Sequence, residues 1–326
     1  MDVLGIDLAK LTFDATLLTT SGTSHYQAFP NTPEGFAQLQ FWLAQHQVTT
    51  LHACMEATNI YWEALATWLL AHNHTVSVVN PARIKGYAQA RMRRNKTDKL
   101  DSALIADFCL KQRPSAWQPA SEEMRRLRAL VRHRDDLLQI QLQQHNRLRD
   151  TTDTLVMASL QSLLSAIATE LEGVERQIKE QIATQASLRA QQVLLTSIVG
   201  IGMVTAAKLL AEFGELSQYE TAKAAAADAG LTPSHFESGS SVRRRPKMSK
   251  IGKAGIRAAL YWPAITAMTR CPAVKAFAER LAARGKPKKV VIGAVMRKLV
   301  HICYGVLKHQ TPYDPTKAFG HTSSAT

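Results

Sequence analysis

The chain has 326 residues, 46% of them hydrophobic, and a net charge of +14, which excludes a disordered tail and allows two or three packed domains. The charge is uneven: residues 238–310 hold 17 Lys or Arg against one acid, Glu279, leaving the remainder of the chain at −2. Such one-sidedness excludes an evenly mixed solvated surface and points to a polyanionic partner.

Met1-Asp2 runs directly into Val3-Leu4-Gly5-Ile6-Asp7, a buried strand closed by a carboxylate, which leaves no room for a signal peptide. Strands over Leu11 to Thr19 and His25 to Phe29 flank the turn Thr20-Ser21-Gly22 and complete a three-stranded meander. Pro33 to Gln45 follows as an amphipathic helix through Phe36, Leu39, Phe41, Trp42 and Leu43. Leu51 to Glu56 repeats the first design, a strand with an acid at its end. Next come a helix over Tyr61 to His72, a polar turn at His72-Asn73-His74, a strand Val76 to Val79 ended by Asn80-Pro81, and a helix from Asp98 to Leu110. Three antiparallel strands followed by parallel ones with helices between them is the RNase H-like order.

Four acids carry the chemistry of this region. Asp7 and Glu56 stand at the strand ends where open α/β sheets hold ligands. Asp98 and Asp101, three apart, share one face of a helix. Converging carboxylates repel one another unless cations neutralise them, and hard oxygen ligands suit magnesium or manganese. Singly, each acid has a plainer role: Asp98 suits a helix N-terminus, Asp101 a solvated surface, and strand-end acids belong to turns. Their combination and order point to a metal-dependent enzyme acting on nucleic-acid phosphates. Arg91, Arg93, Arg94 and Lys96, just before the acidic helix, are placed to hold a phosphate backbone.

Between Pro119 and Gly200 there is no proline and a single glycine, Gly173. Leu127, Val131, Leu138 and Leu142 form one apolar stripe; Leu160, Leu163, Ile167, Leu171, Val174, Ile178 and Ile182 form another. Asp150-Thr151-Thr152-Asp153 interrupts them, giving two long helices that serve as a dimerising coiled coil or an intramolecular hairpin. The arginines from Arg125 to Arg134 are candidates for gripping RNA. Beyond them, Val199-Gly200-Ile201-Gly202 precedes a helix over Val204 to Phe213. Gly200 and Gly202 fit either a helix-hairpin-helix that turns backbone N–H groups to a phosphate or a plain tight turn.

Glu237-Ser238-Gly239-Ser240-Ser241-Val242 reads as a flexible polar loop running into Arg243, Arg244 and Arg245, with Lys247, Lys250 and Lys253 behind. Serine hydroxyls beside fixed cations suit either attack on a phosphodiester or simple phosphate binding. Cys54, Cys109, Cys271 and Cys303 show no zinc-type spacing and read as reduced, mostly buried thiols of a cytosolic protein. No apolar run is read as long enough to span a membrane.

Gly5-Ile6-Asp7, Met55-Glu56-Ala57-Thr58, Asn80-Pro81, Asn95-Lys96-Thr97-Asp98 through Asp101, the Gly200-Ile201-Gly202 turn, Gly230-Leu231-Thr232-Pro233 and the Ser238 segment together resemble the DEDD insertion-sequence transposases. These are the bridge-RNA-guided recombinases related to the Piv DNA invertase, and the resemblance spans essentially the whole chain. It implies an RuvC-like domain over 1–115, a helical coiled-coil segment over 116–190 and a helical transposase domain over 191–326. It further implies a metal tetrad of Asp7, Glu56, Asp98 and Asp101 holding Mg2+ or Mn2+. Ser238 would be the nucleophile of a transient phosphoserine link to DNA, the assignment within its loop resting on the motif alone. The implied partners are donor and target DNA, a structured bridge RNA and further copies of the chain, as a dimer to tetramer, with no membrane. Two other functions fit the residues: a structure-selective nuclease or resolvase using water, and a non-catalytic nucleic-acid-binding protein.

Overall fold

The computed structural model describes residues 1–57, 60–92, 97–214, 216, 219–238 and 242–319, excluding the side chains of 235–238, 242–246, 318 and 319. They form two compact units, Met1–Pro119 and Ala120–Thr326.

In the first unit, β1 (Asp2–Leu8), β2 (Thr12–Leu18), β3 (Ser24–Pro30), β4 (Leu51–Glu56) and β5 (Thr75–Val79) make a five-stranded sheet in the order β3-β2-β1-β4-β5. β1, β2 and β3 pair antiparallel, whereas β1, β4 and β5 run parallel. This is the mixed sheet expected of the meander followed by parallel strands. Alternation along the strands sorts the side chains to two faces. Leu4, Ile6, Leu8, Ala53 and Met55 pack under α1 (Pro33–Gln45) and α2 (Trp62–Ala71). Val3, Cys54 and Val79 pack under α3 (Pro81–Ala90) and α4 (Asp98–Gln112).

Helix α3 is absent from the sequence reading, which took Asn80-Pro81 only as the end of β5. The same pair starts a helix: the Asn80 side chain accepts from the Ala82 N–H at 2.8 Å, and Pro81 fills a first-turn position where no N–H is needed.

The second unit opens with α5 (Glu122–Asp150) and α6 (Thr154–Thr184), broken by Thr151–Asp153 as expected, with the Asp153 carboxylate capping Leu155 and Val156. Their apolar stripes meet, but Leu137 and Leu164 are buried where Leu138 and Leu163 were expected. A one-residue shift of this kind follows from a helical turn of 3.6 residues drifting against spacings of three and four. α7 (Ala186–Thr196), α8 (Met203–Phe213), α9 (Ala222–Asp228), α10 (Ala254–Arg270), α11 (Pro272–Ala283), α12 (Lys288–His309) and α13 (Pro315–Phe319) follow, with a hairpin of β6 (Pro233–Ser238) and β7 (Val242–Met248). One apolar core runs from Met124 on α5 to Leu307 on α12, so the paired long helices share the core of the later ones.

Contrary to expectation, α6 and α12 are each long and apolar enough to cross a membrane by length and composition. In α12 67% of the apolar window is buried, with Val295, Leu299, Val300 and Cys303 at the centre of the core. A core helix meets the same test, because burial on all sides calls for apolar residues all round.

Candidate active site

Four strands and one helix set the geometry of the acids. Tyr26 on β3, Thr16 on β2, Gly5 on β1 and Cys54 on β4 form one row of register partners across the sheet. α4 lies along that row. The Lys99 ammonium sits 5.3 Å above the Tyr26 ring, and the Ser102 hydroxyl is hydrogen-bonded to that of buried Thr16 at 2.8 Å. At the far end the Cys54 and Cys109 thiols are in contact, and Cys109 Sγ donates to the His52 carbonyl at 3.8 Å. Gly5 makes this approach possible: a Cβ there would lie 2.2 Å from both the Ser102 carbonyl oxygen and the Ala106 nitrogen.

Asp7 and Glu56 lie two residues beyond Gly5 and Cys54, about 7 Å further along adjacent parallel strands and on the same face as α4. Both are half-buried. Asp98 and Asp101 occupy the first turn of α4, where the Thr97 hydroxyl caps the Leu100 N–H at 3.3 Å and the helix dipole favours negative charge. The fold thus brings Asp7 beside Glu56, and Asp98 and Asp101 onto the helix that crosses their face. Among the described residues no three His, Cys, Asp or Glu side chains stand close enough together to hold a metal ion. The donor set itself, carboxylate oxygens alone, is of the hard kind that magnesium and manganese take.

One acid of this face escaped sequence reading. Asp14 on β2 is the register partner of Asp7, and its Oδ1 accepts from the Tyr26 hydroxyl at 2.5 Å. That hydrogen bond, with burial and the charges of Asp14 and Asp98, pushes the Tyr26 phenol up to about 12. Asp14 sits in a strand that alternates outward every second residue, so only the register could reveal its partner.

The cations flanking the acidic helix divide. Arg91 pairs with Asp107 at 2.6 Å and lies over the Tyr87 ring, bracing α3 against α4. Arg93, Arg94 and Lys96 fall outside the described residues. Asp107 also receives Lys111 and the Tyr87 hydroxyl; although burial opposes it, these donors hold its carboxyl below the usual carboxylate range.

In the second unit, Gly200 sits in the turn joining α7 to α8 with φ +96°, and a Cβ there would meet the Pro263 carbonyl oxygen of α10 at 2.6 Å. Left-handed backbone and close helix packing both require glycine at this point. Gly202 is the N-cap of α8, with open space where its Cβ would be.

The Ser238 segment is a β-hairpin where sequence suggested a flexible loop. Ser238 ends β6 and pairs with Val242, and Arg243, Arg244 and Arg245 lie on β7. Alternation through His235, Phe236 and Glu237 was masked by the polar Ser/Gly tip, and Gly239, Ser240 and Ser241 fall outside the described residues. Lys247 and Lys250 are exposed. Lys253 is bound internally, to Asp228 at 3.0 Å and the Tyr219 hydroxyl at 3.2 Å. Three arginines of α5 are also engaged within the unit: Arg128 donates to the Ala211 carbonyl at 2.8 Å, Arg132 to Glu212 at 3.3 Å and Arg134 to Glu175 at 2.7 Å.

Two family models match the chain, the first of them running past the boundary between the units into the long paired helices. Residues 4–157 match a family model described as "Transposase", and residues 192–279 match one described as "Transposase IS116/IS110/IS902 family". The pilin gene-inverting proteins of Moraxella lacunata and Moraxella bovis are each 36% identical over 314 residues, covering 95% of this chain and 97% of theirs. The RuvC structure of Thermus thermophilus overlays only weakly, with a TM-score of 0.27 and 13% identity over 36% of this chain and 98% of that one. With 36% identity to the gene-inverting proteins along nearly the whole of both chains, and both transposase models matched in order, the chain belongs to the IS110 family of transposases.

Proposed function

We propose that this chain cuts and rejoins DNA as a transposase or invertase, with a carboxylate metal site in the first unit and a nucleophilic serine in the second. One observation carries the first half of this reading: Asp7 and Glu56 are side by side at the ends of adjacent parallel strands, under a helix whose first turn holds Asp98 and Asp101. Magnesium or manganese bound by these four would place positive charge against phosphate oxygens. The basic stretch 238–310 fits a phosphate backbone, and DNA inversion is the reaction for which the Moraxella relatives are named.

Ser238 would attack the scissile phosphorus through its hydroxyl oxygen. The bond from phosphorus to a deoxyribose oxygen breaks, and that oxygen takes up a proton. The phosphoserine ester conserves the bond energy, so a strand hydroxyl can reverse the step on a new partner without ATP. Arg243, Arg244 and Arg245, next along the hairpin, suit the charge that builds on phosphate oxygens. A bridge RNA pairing with donor and target would supply sequence recognition, leaving the protein to hold backbones. Assembly as a dimer to tetramer completes the reading.

Denaturing gel analysis of the chain with cognate DNA tests it. Wild type with magnesium should yield a covalent protein–DNA adduct that Ser238→Ala abolishes, as should Asp7→Ala or removal of divalent metal. Cleavage without any adduct would replace serine by water. An adduct persisting in Ser238→Ala would move the nucleophile to Ser240 or Ser241.

A further inference from the structure

The motif Gly230-Leu231-Thr232-Pro233 has no part in the chemistry above, yet it is the root of the hairpin that ends in Ser238. A two-stranded hairpin is marginal by itself, so its direction must be set where it joins the helices. Thr232 immediately precedes β6, and Ser238 lies six residues on, at most about 20 Å away along a strand whose pairing shifts register once, between Ser234 and Phe236. A tilt of about 10° at the root would therefore carry Ser238 by about 3 Å, when misplacement by about 1 Å already slows a reaction about 100-fold.

Two guanidiniums from different helices hold that root. Arg297 of α12 donates through one nitrogen to the Thr232 hydroxyl at 2.9 Å and to the Leu231 carbonyl at 3.4 Å. Arg257 of α10 donates to the Ala229 carbonyl at 3.0 Å, on the entering chain, and to the Gly252 carbonyl at 3.3 Å, on the leaving chain. Between them the ladder continues past the hairpin, from the Ser249 N–H to the Thr232 carbonyl at 2.9 Å and from the Lys250 N–H to the Gly230 carbonyl at 3.2 Å. Leu231 is buried in the core beneath, and the Met248 methyl lies where a side chain on Gly293 of α12 would otherwise be. Both arginines are half-buried, and the oxygens they meet are carbonyl and hydroxyl oxygens. Their fixed planar forks suit a rigid clamp better than a flexible ammonium does.

We infer that Arg297 and Arg257 are positioning residues, clamping both strands of the hairpin so that Ser238 is presented at one fixed angle to the helices. This rests on the serine reading above. Amide hydrogen exchange on the full chain without DNA, together with single-turnover adduct formation and DNA affinity, tests the clamp for Arg297→Gln, Thr232→Val and Thr232→Ser. Arg297→Gln and Thr232→Val should each speed exchange in Ser234 to Met248 by about 10-fold, leave the α12 core protected, and slow adduct formation by about 10- to 100-fold at near-unchanged affinity. Thr232→Ser, which keeps the hydroxyl, should restore protection. Unchanged hairpin exchange in Arg297→Gln overturns the clamp, as does a rate loss matched by an equal loss of affinity, which would make Arg297 a DNA contact. Adducts persisting in Ser238→Ala would instead sink the serine assignment, leaving the exchange results on the hairpin to stand or fall separately.

Discussion

Asp7 on β1 and Asp14 on β2 are direct cross-strand partners, and both belong to the face that α4 crosses. Like charges directly opposed on a sheet cost stability, so this pair is a built-in demand for a cation or a donor. Tyr26 supplies one donor, to Asp14. Asp14→Asn keeps an acceptor for that hydroxyl while removing the charge. It should raise stability without divalent metal by about 0.2–1 kcal/mol. If the proposed metal site forms, magnesium should raise the melting temperature of wild type but not of Asp7→Asn; equal shifts in thermal unfolding would remove Asp7 from that proposal.

Gly5→Ala should be far more damaging than its size suggests. The new methyl would meet the backbone of α4, which cannot yield as a side-chain tip can. Overpacking of this sort costs about 1–3 kcal/mol. Because α4 carries Asp98 and Asp101, strand cleavage should fall together with the urea midpoint. A variant that keeps both would show that α4 can shift without disturbing the acids.

Much of the first unit was legible because β1 and β4 are short apolar runs with an acid at the C-terminal end, and Asp7, Glu56 and the α4 acids are found on the elements expected. Relationships that depend on register were not legible. Asp14 faces Asp7 only because β1 and β2 pair as they do, and the Thr16–Ser102 bond joins residues 86 apart. α3 was hidden because Asn80-Pro81 both stops a strand and starts a helix. In the second unit, the composition around Ser238 suggested a loop, since glycine is a weak strand former and Glu237 to Ser241 lack the β-branched and aromatic residues that mark strands; the pairing of β6 with β7 is a tertiary outcome.

Two histidines, His74 buried and His301 half-buried, should make stability depend on pH. His74 in the first unit and His301 in the second each keep a ring nitrogen, Nδ1 and Nε2 respectively, that finds no partner among the described residues. Burial lowers the pKa of both; His72 adds to this at His74, and Arg297, Lys298 and Lys223 add to it at His301. A folded pKa below the unfolded value of 6.5 means that the unfolded chain binds the extra proton first. Stability is then full above 6.5 and declines as pH falls below it, until the folded pKa is reached, with each group contributing at most about 1.4 kcal/mol per pH unit. Urea unfolding at about pH 7.5 and about pH 5.5 should reveal this decline, and His74→Gln and His301→Gln should each flatten it. An unchanged slope in either variant would exclude that histidine as a source.

The cations of the second unit should separate into two classes by the salt dependence of DNA binding. Each lysine or arginine that neutralises a phosphate steepens the fall of affinity with salt, by about 0.9 in the logarithmic slope. Lys247, on β7, and Lys250, just past it, are exposed, so Lys247→Gln and Lys250→Gln should each make the slope shallower by about that amount, with little change in stability. Arg134 behaves otherwise, because its guanidinium joins α5 to α6 through Glu175 at 2.7 Å. Arg134→Gln should lower stability by about 1 kcal/mol, a figure reduced by the partial exposure of the pair, and leave the slope unchanged. Fluorescence anisotropy across a salt series reads the slope, and urea unfolding reads stability. A shallower slope for Arg134→Gln would return the α5 arginines to the nucleic-acid surface, and their internal partners would then have to exchange on binding.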